Sequence, residues 1–358
     1  MLNNITKKQH MTQLADYRKK LFKNPILKHL FLELTLNCNE RCIHCGSSCG
    51  DVDTSNMLTT QEYFNFLDYV KDNFSLNGMM LCITGGEPLL RKDFFEIMSY
   101  ANQLGFPWGM TSNATLIDKS IAKKLYDTGM KTISISIDGL ENTHDNFRRT
   151  KGGFQKAMQG IQNLINQGGF ESIQVTTVVT RENINQLDEL YNIFDKMDID
   201  SWRILNLEPI GRAKQYPQLL LTPNDYKTMF KFIYDKRLEG LPVTYGCSHY
   251  LGADWEREVR DWYFICNAGV YTASIMANGD IGACLDIERR PELIQGNIRT
   301  DDFKSVWENK FTQFRDFNYR TCEQCENCSD RLFCGGDAFH SWNFDEHKPN
   351  ICFKGILF

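Results

Sequence analysis

Six apolar runs rich in β-branched residues recur through the first two thirds of the chain, at 30–36, 79–84, 107–111, 132–137, 173–179 and 202–207. Helical patterns separate them near 59–73, 92–104, 118–128, 154–167, 184–196 and 223–238. Strict alternation of strand and helix leaves few solutions: parallel strands joined by right-handed crossovers. Local chemistry agrees. Thr59 and Thr60 precede Glu62 in a capping-box arrangement, and Gly105 and Gly129 fall where C-terminal caps belong. Six units are too few for the usual eight-stranded closure. The expected fold is therefore α/β, a partial (β/α)6 TIM-like barrel over residues 28–240. Residues 1–27 form a basic helical extension, with Arg18-Lys19-Lys20 on a solvated face leading into the barrel.

In such folds the chemistry gathers at the carboxyl ends of the strands. The first strand runs into Cys38-Asn39-Glu40-Arg41-Cys42-Ile43-His44-Cys45, a C-x3-C-x2-C loop. Three thiolates on one loop can hold three corners of a four-iron cluster and leave the fourth iron open. The alternative is structural zinc, which wants a fourth protein ligand such as His44 or Cys49. The second strand ends in Thr84-Gly85-Gly86-Glu87-Pro88. Two glycines let backbone approach a ligand closely, and Glu87 offers an acceptor for an ammonium group.

The remaining third, 241–358, is a cysteine-rich domain. Cys266 and Cys284 flank an Asn278-Gly279 hairpin signal, and Cys322, Cys325, Cys328, Cys334 and Cys352 follow. The chain lacks an apolar secretory segment and any stretch long enough to span a membrane, so thirteen cysteines point to metal or cluster ligation in a reducing cytoplasm. A net charge of −5 gives no general affinity for nucleic acid.

The cysteine trio and Gly85-Gly86-Glu87-Pro88 together resemble the radical SAM superfamily, whose open iron chelates S-adenosylmethionine (SAM). The pair is much more specific than either part. By that resemblance Thr84, Gly85, Gly86 and Glu87 face the SAM amino group. Ser136 is the best ribose or carboxylate contact, with Asn113, Asp138 and Arg148 behind it. Cys325-x2-Cys328-x5-Cys334 with distal Cys352, plus the hairpin cysteines, resembles the SPASM domain of peptide- and protein-modifying members, which carries auxiliary [4Fe-4S] clusters.

The resemblance implies one auxiliary cluster on Cys325, Cys328, Cys334 and Cys352. A second uses Cys266 and Cys284 with Cys247 and Cys322. The family's next cysteine, four residues after Cys334, is Ala338 here. Asp286, two residues after Cys284, stands one position from where sulfatase-maturing relatives carry a general base. The aromatic stretch from Phe339 to Phe344 reads as a cover for the cluster beside it.

The implied activity is reductive SAM cleavage to a 5′-deoxyadenosyl radical. The outcome would be modification of a peptide or protein side chain by an oxidative crosslink, a thioether or formylglycine-type maturation. A flavodoxin- or ferredoxin-type reductant would supply the electron. Two alternatives stay open: a small-molecule substrate, and a non-catalytic iron–sulfur or zinc protein. Gly85-Gly86-Glu87-Pro88 counts against the latter, because an electron carrier has no use for an amino-acid-binding loop.

Overall fold

Leu30 and Leu32 are completely buried on one face of the strand that carries them, while His29 and Phe31 on its other face are half-buried. The computed structural model describes residues 4–50 and 53–358. That strand, β1 (His29–Glu33), is followed by β2 (Met80–Thr84), β3 (Trp108–Ser112), β4 (Met130–Ser136), β5 (Ser172–Val179) and β6 (Ser201–Asn206). The six lie side by side, all parallel, in chain order. Helices on the outside include α1 (Asn4–Lys23), α2 (Thr60–Asn73), α3 (Phe94–Gln103), α4 (Lys119–Asp127), α5 (Glu141–Arg148), α6 (Gly153–Gln167), α7 (Leu187–Phe194) and α8 (Pro223–Lys236). Thr59 caps α2, accepting from the Glu62 backbone while Glu62 reaches back, as the capping-box spacing predicts.

The sheet is larger than six strands. β7 (Val243–Tyr245) pairs parallel to β6, and β8 (Thr272–Ile275) pairs parallel to the free edge of β1. β9 (Asp280–Gly282) and β10 (Gly296–Asn297) then extend the same sheet antiparallel, giving the order β10-β9-β8-β1-β2-β3-β4-β5-β6-β7. The predicted Asn278-Gly279 hairpin is thus β8–β9, and it is not a separate unit: it satisfies the β1 edge that six strands would leave unpaired. Among the described residues no pairing joins β7 to β8, so the barrel stays open. One hydrophobic core runs from Leu30 through Ala273 to Phe339 and Phe353.

Two expectations change. Residues 141–148, outside the helical patterns expected from sequence, form α5; its Glu-Asn-Thr-His-Asp-Asn composition hid it, and Phe147 is what anchors it. The basic face of α1 is only partly solvated. Lys7 and Arg18 are buried, Lys7 against Glu258 and Arg18 on the carbonyls of Leu332 and Phe333, so α1 packs on the C-terminal third.

Candidate active site

Backbone hydrogen bonds lock the cysteine loop to its neighbours at the strand ends. Gly86 N donates to Thr35 O at 2.7 Å and Glu87 N to Asn37 O at 2.9 Å. A Cβ on Gly86 would fall 2.1 Å from the Asn37 oxygen and 2.9 Å from Cys38 Cβ, so only glycine lets the two loops meet. On the other side Arg212 N donates to Cys45 O at 3.1 Å, its Nε to Cys42 O at 2.8 Å and its Nη1 to Cys49 O at 3.0 Å. Gly211, at φ 55°, makes that approach possible, since a Cβ there would lie 2.5 Å from the Cys45 oxygen. Sequence reasoning missed Arg212; the Gly-Arg pair after the sixth strand was the available signal.

All thirteen cysteines are free. Cys38, Cys42 and Cys45 share the loop as half-buried thiols, and the Cys45 charge acts on both others. Burial lifts Cys38 to about 11 and Cys42 further. Cys45 is held down at about 6 by the hydrogen bond from Cys49, which is itself raised. Among the described residues no three His, Cys, Asp or Glu side chains converge on one metal ion. A four-iron cluster asks for something different, one thiolate at each of several corners. Two buried polar atoms beside the loop, Glu40 Oε1 and His44 Nδ1, have no partner. His44 stacks on Phe147 with centroids 4.5 Å apart and approaches Asp138 at 3.4 Å. Cys49 Sγ also lies 3.6 Å from Gly85 O.

Several expected SAM contacts are engaged elsewhere. Arg148 bonds Asp138 Oδ2 at 2.6 Å and Glu40 Oε2 at 2.8 Å, all three buried, so Asp138 and Arg148 brace the cysteine loop. Burial disfavours ionised Asp138, but Arg148, His44, His144 and the Val178 amide together outweigh it and hold the carboxyl at about 2. Glu87 is not an open acceptor either. Its oxygens take hydrogen bonds from Ser112 Oγ at 2.9 and 3.0 Å, Asn113 N at 2.9 Å and Leu89 N at 3.3 Å. Asn113 donates to Asn39 Oδ1 at 2.8 Å, tying the third strand end to the cysteine loop. Ser136, half-buried at the end of β4, makes no side-chain hydrogen bond to a described residue.

The C-terminal cysteines fall into two groups. Cys325, Cys328, Cys334 and Cys352 line one cavity of about 370 Å³, which suits the auxiliary cluster implied for them. Buried Arg331 Nη1, unpartnered, belongs to a residue on the same lining. The thiols of Cys247 and Cys266 both act on Cys284, which marks the second group. Cys322 departs from the expectation. Its sulfur is 3.2 Å from Cys325 and its charge acts on Cys352, because the turn at the start of the short helix Glu323–Glu326 folds it back onto the first group. The exposed Asp286 carboxylate lies 3.8 Å from Cys284 Sγ. Ala338 is fully buried against Cys266 and Cys334. Phe339 and Trp342 are buried as well, and so cover rather than line a groove.

A buried cluster joins the barrel to this region. His249 Nε2 lies 2.7 Å from Glu208 Oε1 and Nδ1 lies 2.5 Å from Asp337 Oδ2. Both ring nitrogens face carboxylates, so both carry protons. Burial opposes the charge, yet Asp337 and Glu208 lift the imidazole to about 10.

Known proteins fit this geometry. The radical SAM superfamily model matches residues 32–194, and the SPASM iron–sulfur cluster-binding domain matches 266–329. An AdoMet-dependent heme synthase of Oleidesulfovibrio alaskensis is 28% identical over 333 residues, 87% of this chain and 83% of that protein. The mycofactocin maturase MftC of Mycolicibacterium smegmatis is 29% identical over 340 residues, 93% of this chain and 82% of that one. Streptococcus suis SuiB bound to S-adenosylmethionine has a similar fold, with TM-score 0.70 at 19% identity over 87% of this chain and 73% of its own. So does anSMEcpe with bound AdoMet, at 0.70 and 20% over 87% and 89%. The first domain brings a four-iron cluster and SAM, the second auxiliary iron–sulfur clusters. The chain is an enzyme with a radical SAM domain followed by a SPASM domain.

Proposed function

We propose that this enzyme oxidises a side chain of a peptide or protein, in a crosslinking, thioether-forming or formylglycine-type maturation. The observation that carries the reading is the match to a mycofactocin maturase over 93% of the chain. When bound, the first cluster and SAM supply a 5′-deoxyadenosyl radical able to take a hydrogen atom from substrate, and cofactor chemistry of this kind asks the protein chiefly for positioning. Cys38, Cys42 and Cys45 would hold that cluster. Thr84 and the Gly85-Gly86 backbone would face the SAM amino group, with Ser136 and Asn113 beside its ribose and carboxylate. Glu87, Asp138 and Arg148 keep the loops in place instead.

Cys325, Cys328, Cys334 and Cys352 would carry one auxiliary cluster, and Cys247, Cys266 and Cys284 the other. We assign Asp286, exposed beside Cys284, to proton removal from the substrate. Free thiols and oxygen-sensitive clusters suit a cytoplasmic enzyme fed by a flavodoxin or ferredoxin, without a nucleic-acid partner. No helix among the described residues is long and apolar enough to cross a membrane.

The heme synthase match over 87% of the chain favours a second reading, a tetrapyrrole substrate. The test is anaerobic SAM cleavage by reconstituted, reduced protein, read as 5′-deoxyadenosine. Cys42→Ala is expected to abolish cleavage, and Cys328→Ala to retain some while losing product. The same assay then receives Fe-coproporphyrin III or a library of short peptides, with products read by mass spectrometry. A mass change in peptides supports maturation. Turnover of the porphyrin with every peptide unaltered would overturn it in favour of the second reading.

A further inference from the structure

Two buried guanidinium groups, Arg18 and Arg320, and the half-buried Arg331 lie among the C-terminal cysteines, and none has a carboxylate at salt-bridge distance among the described residues. Arg320 is 8% exposed, and its Nε and Nη1 have no hydrogen-bond partner. Its Nη2 reaches Gly335 O at 3.3 Å, and the guanidinium carbon lies 3.5 Å from the Phe339 ring centroid. Arg331, on the lining of the cavity that Cys325, Cys328, Cys334 and Cys352 share, sends Nη2 to Phe317 O at 2.6 Å and has a buried Nη1 without a partner. Arg18, from α1, caps the carbonyls of Leu332 and Phe333. Lys354 shows the contrast. It lies 3.4 Å from Cys328 Sγ but has Asp330 at 2.8 Å as counter-ion.

Buried cations that repel one another and lack anions are disfavoured unless something negative stands beside them. Carbonyls and ring faces supply part of that. The negative groups that bear on Arg320 are the Cys266 thiol first, then the Asp337 carboxylate and the Cys334 thiol, so the two thiols come one from each cysteine group. Arg331 bears on Cys325. An iron–sulfur core held by thiolates is net negative, and more so by one electron when reduced. Net charge and hydrogen bonds to the sulfurs are among the levers that set its potential.

We propose that Arg320 and Arg331, with Arg18 behind them, are the counter-charge of the auxiliary clusters. Their unpartnered N–H groups face cluster sulfur, and their charge holds the reduction potential up, so that the clusters accept an electron more readily. They are positioning residues for that electron, and no bond to substrate is implied. The proposal rests on the auxiliary ligand sets given above, not on the identity of the substrate.

The test is an EPR-monitored redox titration of loaded full-length protein in a Cys42→Ala background, where only auxiliary clusters remain. Arg320→Met and Arg331→Met are expected to move a midpoint to more negative potential, while Arg320→Lys stays near the parent. Parental midpoints in both methionine variants at parental iron content would overturn the proposal. Should Arg320→Met take up no iron, Arg320→Lys decides. Parental iron and midpoint there support the charge role, and iron loss there overturns it. A parent that holds no auxiliary iron removes the ligand assignment and the proposal together, whereas full iron with unmoved midpoints removes the proposal alone.

Discussion

At the scale of single residues, Glu87 shows how a motif residue serves the site indirectly. Its carboxyl is completely buried, and desolvation raises it to about 7 although Asn113 N and Ser112 Oγ donate to it. The folded state therefore keeps a proton that the unfolded chain, with an ordinary value near 4.5, has released. The stability this confers is complete below that value and is lost as pH climbs through 7, by about 3 kcal/mol for a shift of this size. Glu87→Gln removes the titration. Relative to wild type, the variant is expected to fare better at pH 8 than at pH 5 in urea denaturation. An equal difference at both values would contradict a penalised ionised form. The tetrapeptide Gly85-Gly86-Glu87-Pro88 was legible in sequence as a ligand loop. That its carboxylate turns inward was not, because Ser112 and the Asn113 amide come from another strand end.

At the scale of elements, α5 is the instructive case. It holds a single large apolar residue, Phe147, yet its last residue is the cation that pairs with Asp138 after β4 and with Glu40 on the cysteine loop. Arg148→Met leaves two buried carboxylates without their partner and is expected to cost about 3–5 kcal/mol. Urea melting measures the loss, and faster iron release to a chelator would show that the helix braces the cluster loop. The neighbouring Arg149 is exposed, and Arg149→Met is expected to stay within about 0.5 kcal/mol. Stability equal to wild type in Arg148→Met would mean that the triad contributes nothing net.

At the scale of the whole molecule, the barrel and the C-terminal third share one sheet through β8 on β1 and one buried charge cluster through His249. Glu208 follows β6, while Asp337 lies three residues after Cys334. The imidazolium between them couples the two regions. His249→Ala would leave two buried carboxylates facing each other, a loss expected at about 3–5 kcal/mol. Fluorescence and iron absorbance, followed through the same denaturant series, are expected to separate into two transitions in the variant. Coincident, unshifted transitions would show that the hydrophobic core alone holds the regions together.

The sequence by itself determined whatever depends on neighbours along the chain. Alternating periodicities set six parallel strands, Thr59 with Glu62 set a helix start, Asn278-Gly279 set a hairpin, and Cys38, Cys42 and Cys45 set a cysteine loop at a strand end. Each is a short-range signal, because dihedral preference, capping and ligand spacing act within a few residues. Only the tertiary structure decided which polar groups meet. It brought Arg148 to Glu40, 108 residues away, and His249 to Asp337, 88 away. It moved Cys322 to the first cysteine group and laid β8 on β1. These choices follow from packing: a buried charge or a bare strand edge is tolerated only where the fold delivers a partner, and sequence spacing does not say which distant residue that will be.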